Sequence, residues 1–302
     1  MLYLIKQKRR IESSPASSTG ENGRSMKIAI ISVCASSLIR FRGPLIRALV
    51  KNNIEVFALA AFSDQDSRAA VSALGAKPID ISFSRTGINP IEDIRDTLRV
   101  ARILRKIKPC VSFGYYIKPV IFGTLAAWLA GVPHRVALIE GLGYIFTDHG
   151  RPRSIRGNLL KSIVSSLYRF ALSKAHKVVF LNPDDILEFD RWGIVAKEKS
   201  IKLGGIGVDL KEWPFTMADM EIPRFLFIGR LLAEKGIYDF ISAARLVKAS
   251  GSRAKFIVLG DVDSNPGRID TAQMVAWVDE GLIIWPGHVS VRGWLQSCSV
   301  FV

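Results

Sequence analysis

The chain has 302 residues, enough for one large domain or two ordinary ones. Hydrophobic residues make up 49% and charged residues 23%, a balance that excludes wholesale disorder. A formal net charge of +15, from 42 basic against 27 acidic residues, points to anionic partners: a phosphorylated substrate, an acidic membrane surface or nucleic acid.

Residues 1–25, MLYLIKQKRRIESSPASSTGENGRS, run from a brief apolar opening through a basic cluster into a polar stretch. That order is wrong for secretion, so a disordered leader is expected, and Met26 is an alternative start. The first strand is MKIAIISV (26–33). CASSLIRFRGPLI (34–46) then reads as a loop carrying Ser36, Ser37, Arg40, Arg42 and Gly43, with a helix over Leu45–Lys51. IEVFALA (54–60) and KPIDISF (77–83) are strands, with a helix at Ser67–Leu74 between them. Ile91–Ile107 is a strong helix, acidic early and basic late as the helix dipole prefers. KPCVSFG (108–114) leads into another strand. In the apolar run 111–131, Lys118 and Pro119 leave a helix-like piece, Val120–Ala130, shorter than the roughly 20 residues a membrane span needs. A buried or membrane-surface helix fits it better. HRVALIE (134–140), a long basic helix over Arg156–Ala175 and HKVVFLN (176–182) complete the first half.

Residues 204–223 are rich in Gly and Pro and read as an interdomain crossing between a domain at 26–203 and a second at 224–302. The second has strands at 224–229, 254–260, 282–285 and 298–302, and helices at Ile237–Ala249 and Asp270–Asp279. Short, nearly all-apolar strands alternating with helices predict mainly parallel sheets covered on both faces. The expected architecture is α/β: two Rossmann-like domains facing across a cleft, with ligands beyond the strand C-termini. Only four strands are present in the second, so it is expected to be incomplete.

Three cysteines, Cys34, Cys110 and Cys298, lie far apart without CxxC, and the four histidines lack zinc-like spacing. A reduced compartment and no metal site are expected. The best local signal is GRLLAEKG (229–236). Gly229 lets a ligand approach the backbone, and Arg230 and Lys235 can reach phosphate oxygens, helped by amides at the helix start. A merely basic, solvated turn is the alternative, and no P-loop pattern is present. Asp261 and Asp263, in LGDVDSNPG, can bind sugar or ribose hydroxyls or be ordinary acidic turn residues. Glu140, followed by Gly141 and Gly143, can orient a hydroxyl or close a tight turn. His288 in WPGHVS can meet a nucleotide or diphosphate, or simply be a satisfied loop histidine. The Arg40–Gly43 segment can bind phosphate or an acidic head group, or be a basic cap on a surface helix.

FLFIGRLLAEKGIYDFISAARLV (225–247), FIVLGDVDSNPG (256–267) and EGLIIWPGHVSVRGWLQSCSVFV (280–302) resemble the nucleotide-sugar domain of GT-B glycosyltransferases of the retaining family 4 type. MKIAIISV and LIEGLGYIF (138–146) extend the resemblance over roughly 26–302, to bacterial transferases acting on polyprenyl-diphosphate-linked sugars in capsule, O-antigen or glycan assembly. It implies transfer of a hexose or N-acetylhexosamine from a UDP- or GDP-type donor to a lipid-linked saccharide, with retention, no metal and no cofactor beyond the donor. Arg230 and Lys235 would grip the diphosphate, with room at Gly229. Glu140 would line the acceptor side, where many relatives carry a histidine. Gly43 would face the cleft, and His288 the base-binding wall. Family members normally continue into a Glu-x7-Glu motif that this sequence does not reach, so a truncated, non-catalytic nucleotide-sugar or membrane-surface binding protein is the alternative. An epimerase or dehydrogenase is disfavoured because no early GxGxxG is present. No nucleic-acid partner is expected, since basic residues spread over both halves without a recognised binding motif. The expected location is the cytoplasm, peripheral on the inner membrane face, with Arg151–Lys161 against anionic lipid.

Overall fold

The computed structural model describes residues 25–83, 89–143, 146, 155–217, 221–262 and 267–302. Most of the expected leader, Asp263, and Arg151 to Ser154 at the start of the basic stretch lie outside the described residues. The chain divides into two units, Met1–Ile206 and Gly207–Val302.

The first unit alternates strands and helices. In chain order these are β1 (Lys27–Cys34), α1 (Ala35–Lys51), β2 (Glu55–Ala61), α2 (Gln65–Ala73), β3 (Lys77–Asp80), α3 (Pro90–Ile107) and β4 (Val111–Tyr115). A single π-helical turn at Pro119–Gly123 leads into α4 (Thr124–Leu129). Then come β5 (His134–Ile139), α5 (Ile155–Ser173), β6 (Lys177–Phe180), α6 (Pro183–Arg191) and β7 (Ser200–Lys202). The seven strands form one parallel sheet in the order β3-β2-β1-β4-β5-β6-β7. Ile28, Ala29, Ile30 and Ile31 of β1 are all buried, as a central strand covered on both faces requires.

The helices start where local chemistry allows. Asn89 accepts the Glu92 N–H ahead of α3, Pro90 takes the first helical position, and Glu92 and Asp93 follow in the first turn. Asn182 and Pro183 repeat the device at α6, where Asn182 accepts the Asp185 N–H at 2.8 Å. Neither α6 nor β7 is evident in the apolar pattern. The loop expected at 34–46 is a correction: α1 starts directly after β1 and runs through Gly43 and Pro44. Ile46 and Leu49 drive it, since both are fully buried in the core beside β1 and β2. The single helix expected at Val120–Ala130 is likewise broken, because the π-turn intervenes. That turn lies close on β4: a methyl at Gly114 would stand 2.8 Å from the Pro119 carbonyl oxygen.

The second unit contains β8 (Arg224–Ile228), α7 (Ile237–Ala249), β9 (Lys255–Leu259), α8 (Thr271–Asp279), β10 (Ile284–Gly287), α9 (Arg292–Ser297) and β11 (Val300–Phe301). Its sheet is parallel, in the order β10-β9-β8-β11. The third strand lies two residues beyond the expected 282–285, and α9 is an addition. One core gathers Phe227, Phe240, Phe256, Met274 and Trp277 under α7 and α8. Among the described residues, no helix of either unit is long and apolar enough to cross a membrane.

Candidate functional site

Both sheets reverse their strand order once, between β1 and β4 and between β8 and β11. Crevices beyond the strand C-termini at such points are where open α/β sheets take ligands. Arg42, on the helix after β1, and Gly229 and Arg230, after β8, fall beside these reversals, while Glu140, Asp261 and His288 follow other strand C-termini of the same sheets.

In the second unit, β8 ends on Gly229, whose N–H donates to the Leu259 carbonyl at 3.0 Å. Leu231 and Leu232 follow with no exposed surface. Their backbones bridge to Val262 and Arg268, and the Leu231 N–H donates to the Asp261 carbonyl at 3.3 Å. Two buried leucines therefore clamp the turn, while Arg230 before them and Lys235 after them are exposed. Lys235 ends a short 3-10 turn (Ala233–Lys235), and Gly236, in left-handed conformation at φ 81°, opens α7 with no side-chain cap. The N-terminus of α7 thus carries a partial positive charge directly after Lys235, with Glu234 and Asp239 as its acidic neighbours in sequence.

The close approach lies at Gly260. Its φ is 148°, and a methyl there would lie 1.8 Å from the Gly229 carbonyl oxygen. Trp285 Nε1 donates to the Gly260 carbonyl at 2.9 Å, and the Gly260 N–H donates to the Gly287 carbonyl at 3.0 Å. These bonds tie the ends of β8, β9 and β10 together. Gly229, Arg230, Asp261 and His288 accordingly lie at one sheet edge, following three neighbouring strands. Asp261 is exposed, with Oδ1 accepting the Val262 N–H at 2.8 Å. His288 is exposed. Gly229 has ordinary space: a methyl there would meet the Phe227 ring at 3.6 Å.

In the first unit, Glu140 follows β5 and meets Arg42, 98 residues away on α1. Arg42 Nη2 donates to Glu140 Oε1, and Nη1 donates to the Phe41 carbonyl at 3.1 Å. The Arg42 guanidinium lies 4.3 Å from the Tyr115 ring centroid, and its buried Nε has no hydrogen-bond partner among the described residues. Tyr115 is fully buried, its hydroxyl 2.8 Å from Ser37 Oγ, which in turn lies 2.8 Å from Ser32 Oγ. Burial raises the Tyr115 phenol well above its ordinary range, so it remains a protonated donor. Tyr116, at φ 69°, is raised by burial and then by the Glu140 charge. Arg42 is almost fully covered while the Glu140 side chain keeps 24% exposure, so the pair presents a carboxylate outward. A second buried pair, Lys118 to Asp93 at 2.7 Å, holds the segment ahead of the π-turn to α3.

Gly43 does not share this site as an open-loop residue. It is buried within α1, where a methyl would meet Leu74 and Arg47 at 3.6 Å. Its position is explained by packing against the end of α2. Ser32, Tyr115 and the Arg42–Glu140 partnership escaped the sequence reading. The available signal was a charged residue ending each of two apolar contexts, without any means of pairing them.

The model for glycosyl transferase 4-like proteins matches residues 29–182, just over half of the chain. The chain belongs to the glycosyltransferase 4-like family. The model for glycosyl transferases group 1 matches residues 222–302 of this transferase. N,N'-diacetylbacillosaminyl-diphospho-undecaprenol alpha-1,3-N-acetylgalactosaminyltransferase of Campylobacter jejuni is 28% identical over 292 residues, covering 92% of the chain and 74% of that protein. Capsular polysaccharide biosynthesis glycosyltransferase CapM of Staphylococcus aureus is 20% identical, over 66% of the chain and 53% of its own length. Among solved structures, the apo lipopolysaccharide outer core galactosyltransferase WaaB superposes with a TM-score of 0.58 at 16% identity, covering 91% of the chain and 73% of WaaB. Anabaena HepE, solved with UDP and glucose, gives 0.61 at 12% identity, covering 91% and 73%. The two parallel α/β units of the transferase are therefore those of the GT-B fold.

Proposed function

We propose that this glycosyltransferase moves a hexose or N-acetylhexosamine from a UDP- or GDP-type nucleotide sugar to a hydroxyl of a polyprenyl-diphosphate-linked saccharide, with retention of anomeric configuration. The observation that carries the reading is the β8 turn, where Leu231 and Leu232 are buried and Arg230 and Lys235 are exposed on either side of them. Two cations on a clamped backbone suit a diphosphate, which gains negative charge as the sugar departs.

Arg230 and Lys235 hold the diphosphate and stabilise the leaving nucleotide. Gly229 leaves room for it, Asp261 accepts sugar or ribose hydroxyls, and His288 lies on the base side. Glu140, held by Arg42, orients the acceptor hydroxyl. In a front-side displacement the departing phosphate oxygen takes the acceptor proton, so Glu140 positions rather than abstracts. The acceptor places the enzyme at the cytoplasmic face of a membrane with an anionic surface. The Campylobacter relative, named for a diphospho-undecaprenol acceptor, supports this substrate class.

Product analysis tests the proposal. Incubation with UDP-N-acetylgalactosamine or UDP-glucose and a short-chain polyprenyl-diphosphate saccharide is expected to give a product whose anomeric proton coupling matches the α-configured donor. An inverted product refutes the front-side mechanism, and no transfer from any UDP or GDP sugar refutes the substrate class.

A further inference from the structure

Tyr116 stands at φ 69°, in the left-handed region that a bulky side chain rarely enters. It directly follows β4, which lies between β1, ending on Cys34, and β5, followed by Glu140. The surroundings enforce this conformation. The Val120 N–H donates to the Tyr116 carbonyl at 2.9 Å, and two residues on, buried Lys118 is tied to Asp93 of α3 at 2.7 Å. The π-turn follows at once and rests on Gly114. Glycine would make the same bend without strain, so a tyrosine held there is held for its side chain.

That side chain is half-buried. Its ring centroid lies 5.0 Å from that of Tyr115, with the planes tilted by 43°, and it packs on the core beneath α1. Burial raises the phenol from its ordinary value, the Glu140 charge raises it again, and Ser37, Cys34 and Arg42 are its other electrostatic neighbours. Tyr116 therefore brings a neutral O–H to the group formed by the end of β1, the start of α1 and Glu140. A phenol donor near a carboxylate acceptor suits a sugar, which offers hydrogen-bond acceptors and donors on neighbouring ring atoms, and the apolar body of the ring suits the sugar's C–H face. Glu140 is the charge presented outward, and a second carboxylate on the ligand would be repelled by it.

We infer that Tyr116 is a saccharide-binding residue of the first unit and that, with Glu140, it selects an uncharged sugar ring over a uronate. The inference rests on the acceptor side of the proposed function, and not on the donor, the anomeric outcome or the membrane.

Saturation-transfer NMR of the purified full chain tests it without turnover. The probes are a short-chain prenyl-diphosphate N-acetylhexosamine, its hexuronate counterpart and the sugar-free prenyl diphosphate. Tyr116→Phe keeps the ring and removes the hydroxyl, and it is expected to weaken the N-acetylhexosamine probe about three- to tenfold. Tyr116→Asn, whose side chain tolerates the left-handed backbone, should weaken it at least as much. Neither variant should change binding of the sugar-free probe, and thermal melts confirm that both fold. The hexuronate is expected to bind the unsubstituted chain about tenfold more weakly than the N-acetylhexosamine, and Glu140→Gln should narrow that gap. Undiminished binding of the N-acetylhexosamine probe to Tyr116→Phe overturns the proposal. So does an equal loss for the sugar-free probe, because the hydroxyl would then serve the diphosphate or the fold. Equal affinity for the hexuronate overturns the selection. If these shifts appear but no sugar is transferred from any UDP or GDP donor, the proposed reaction fails and the role of Tyr116 stands.

Discussion

Gly260→Ala is expected to cost at least about 4 kcal/mol and to unfold the end of the second sheet. The added methyl would lie 1.8 Å from the Gly229 carbonyl oxygen, and that oxygen belongs to the backbone of the neighbouring strand end. No rotamer change relieves the overlap, and φ 148° is itself a conformation that side chains rarely adopt. Separating β8 from β9 would release the Gly229 N–H from the Leu259 carbonyl, and displacing Gly260 itself would strain its bonds to Trp285 and Gly287. Hydrogen exchange of peptides spanning β8, β9 and β10 measures the effect directly, and early exchange in all three strands is the expected result. Gly229→Ala is the control. It meets only the Phe227 ring at 3.6 Å, so it is expected to fold with nearly normal protection. Its cost should instead fall on ligand binding. Normal exchange in Gly260→Ala would mean that the strand ends are not held together as described.

The second large effect is expected at Arg42. Arg42→Met keeps an aliphatic stem against Tyr115 but leaves Glu140 without its cation. Removing one partner of a fully buried pair costs about 3–5 kcal/mol. Glu140 is partly solvated, so a loss of about 1–3 kcal/mol in urea unfolding is expected here. Arg42→Lys should recover only part of it, because an ammonium reaches Glu140 without the planar stack on Tyr115. A double-mutant cycle with Glu140→Gln isolates the pair, and an interaction energy near zero would show that the two residues do not act together. The buried Nε, without a hydrogen-bond partner among the described residues, makes this arrangement an expensive way to gain stability alone. Holding a carboxylate at a strand end accounts for its form better.

Much of this organisation was legible in the residues. Runs such as KIAIISV and KFIVL announce strands buried on both faces, and the acidic-to-basic gradient over Ile91–Ile107 announces α3, whereas α6 went unread. The turn after β8 was legible for the same reason: an apolar run stops on glycine and resumes as a helix, with two cations between. The α1 error has a local cause. Ser36, Ser37, Gly43 and Pro44 all have loop or breaker propensities, and burial of Ile46 and Leu49 overrides them. The tightness at Gly260 was not legible, because it depends on where the Gly229 carbonyl lies across the sheet. The Arg42–Glu140 pair was hidden for a similar reason. Its members are distant in sequence, and only the placement of β5 in the sheet brings them together.

A nucleotide diphosphate is expected to bind the turn after β8. Saturation-transfer NMR of the purified protein against UDP, GDP and their common sugar conjugates measures this most directly, with Arg230→Ala and Lys235→Ala alongside. Binding of at least one nucleotide is expected, with a loss of about tenfold or more in each variant, since each removes a charge-assisted contact worth about 1.5–3 kcal/mol. Unchanged binding in both folded variants would contradict the account and place any nucleotide elsewhere.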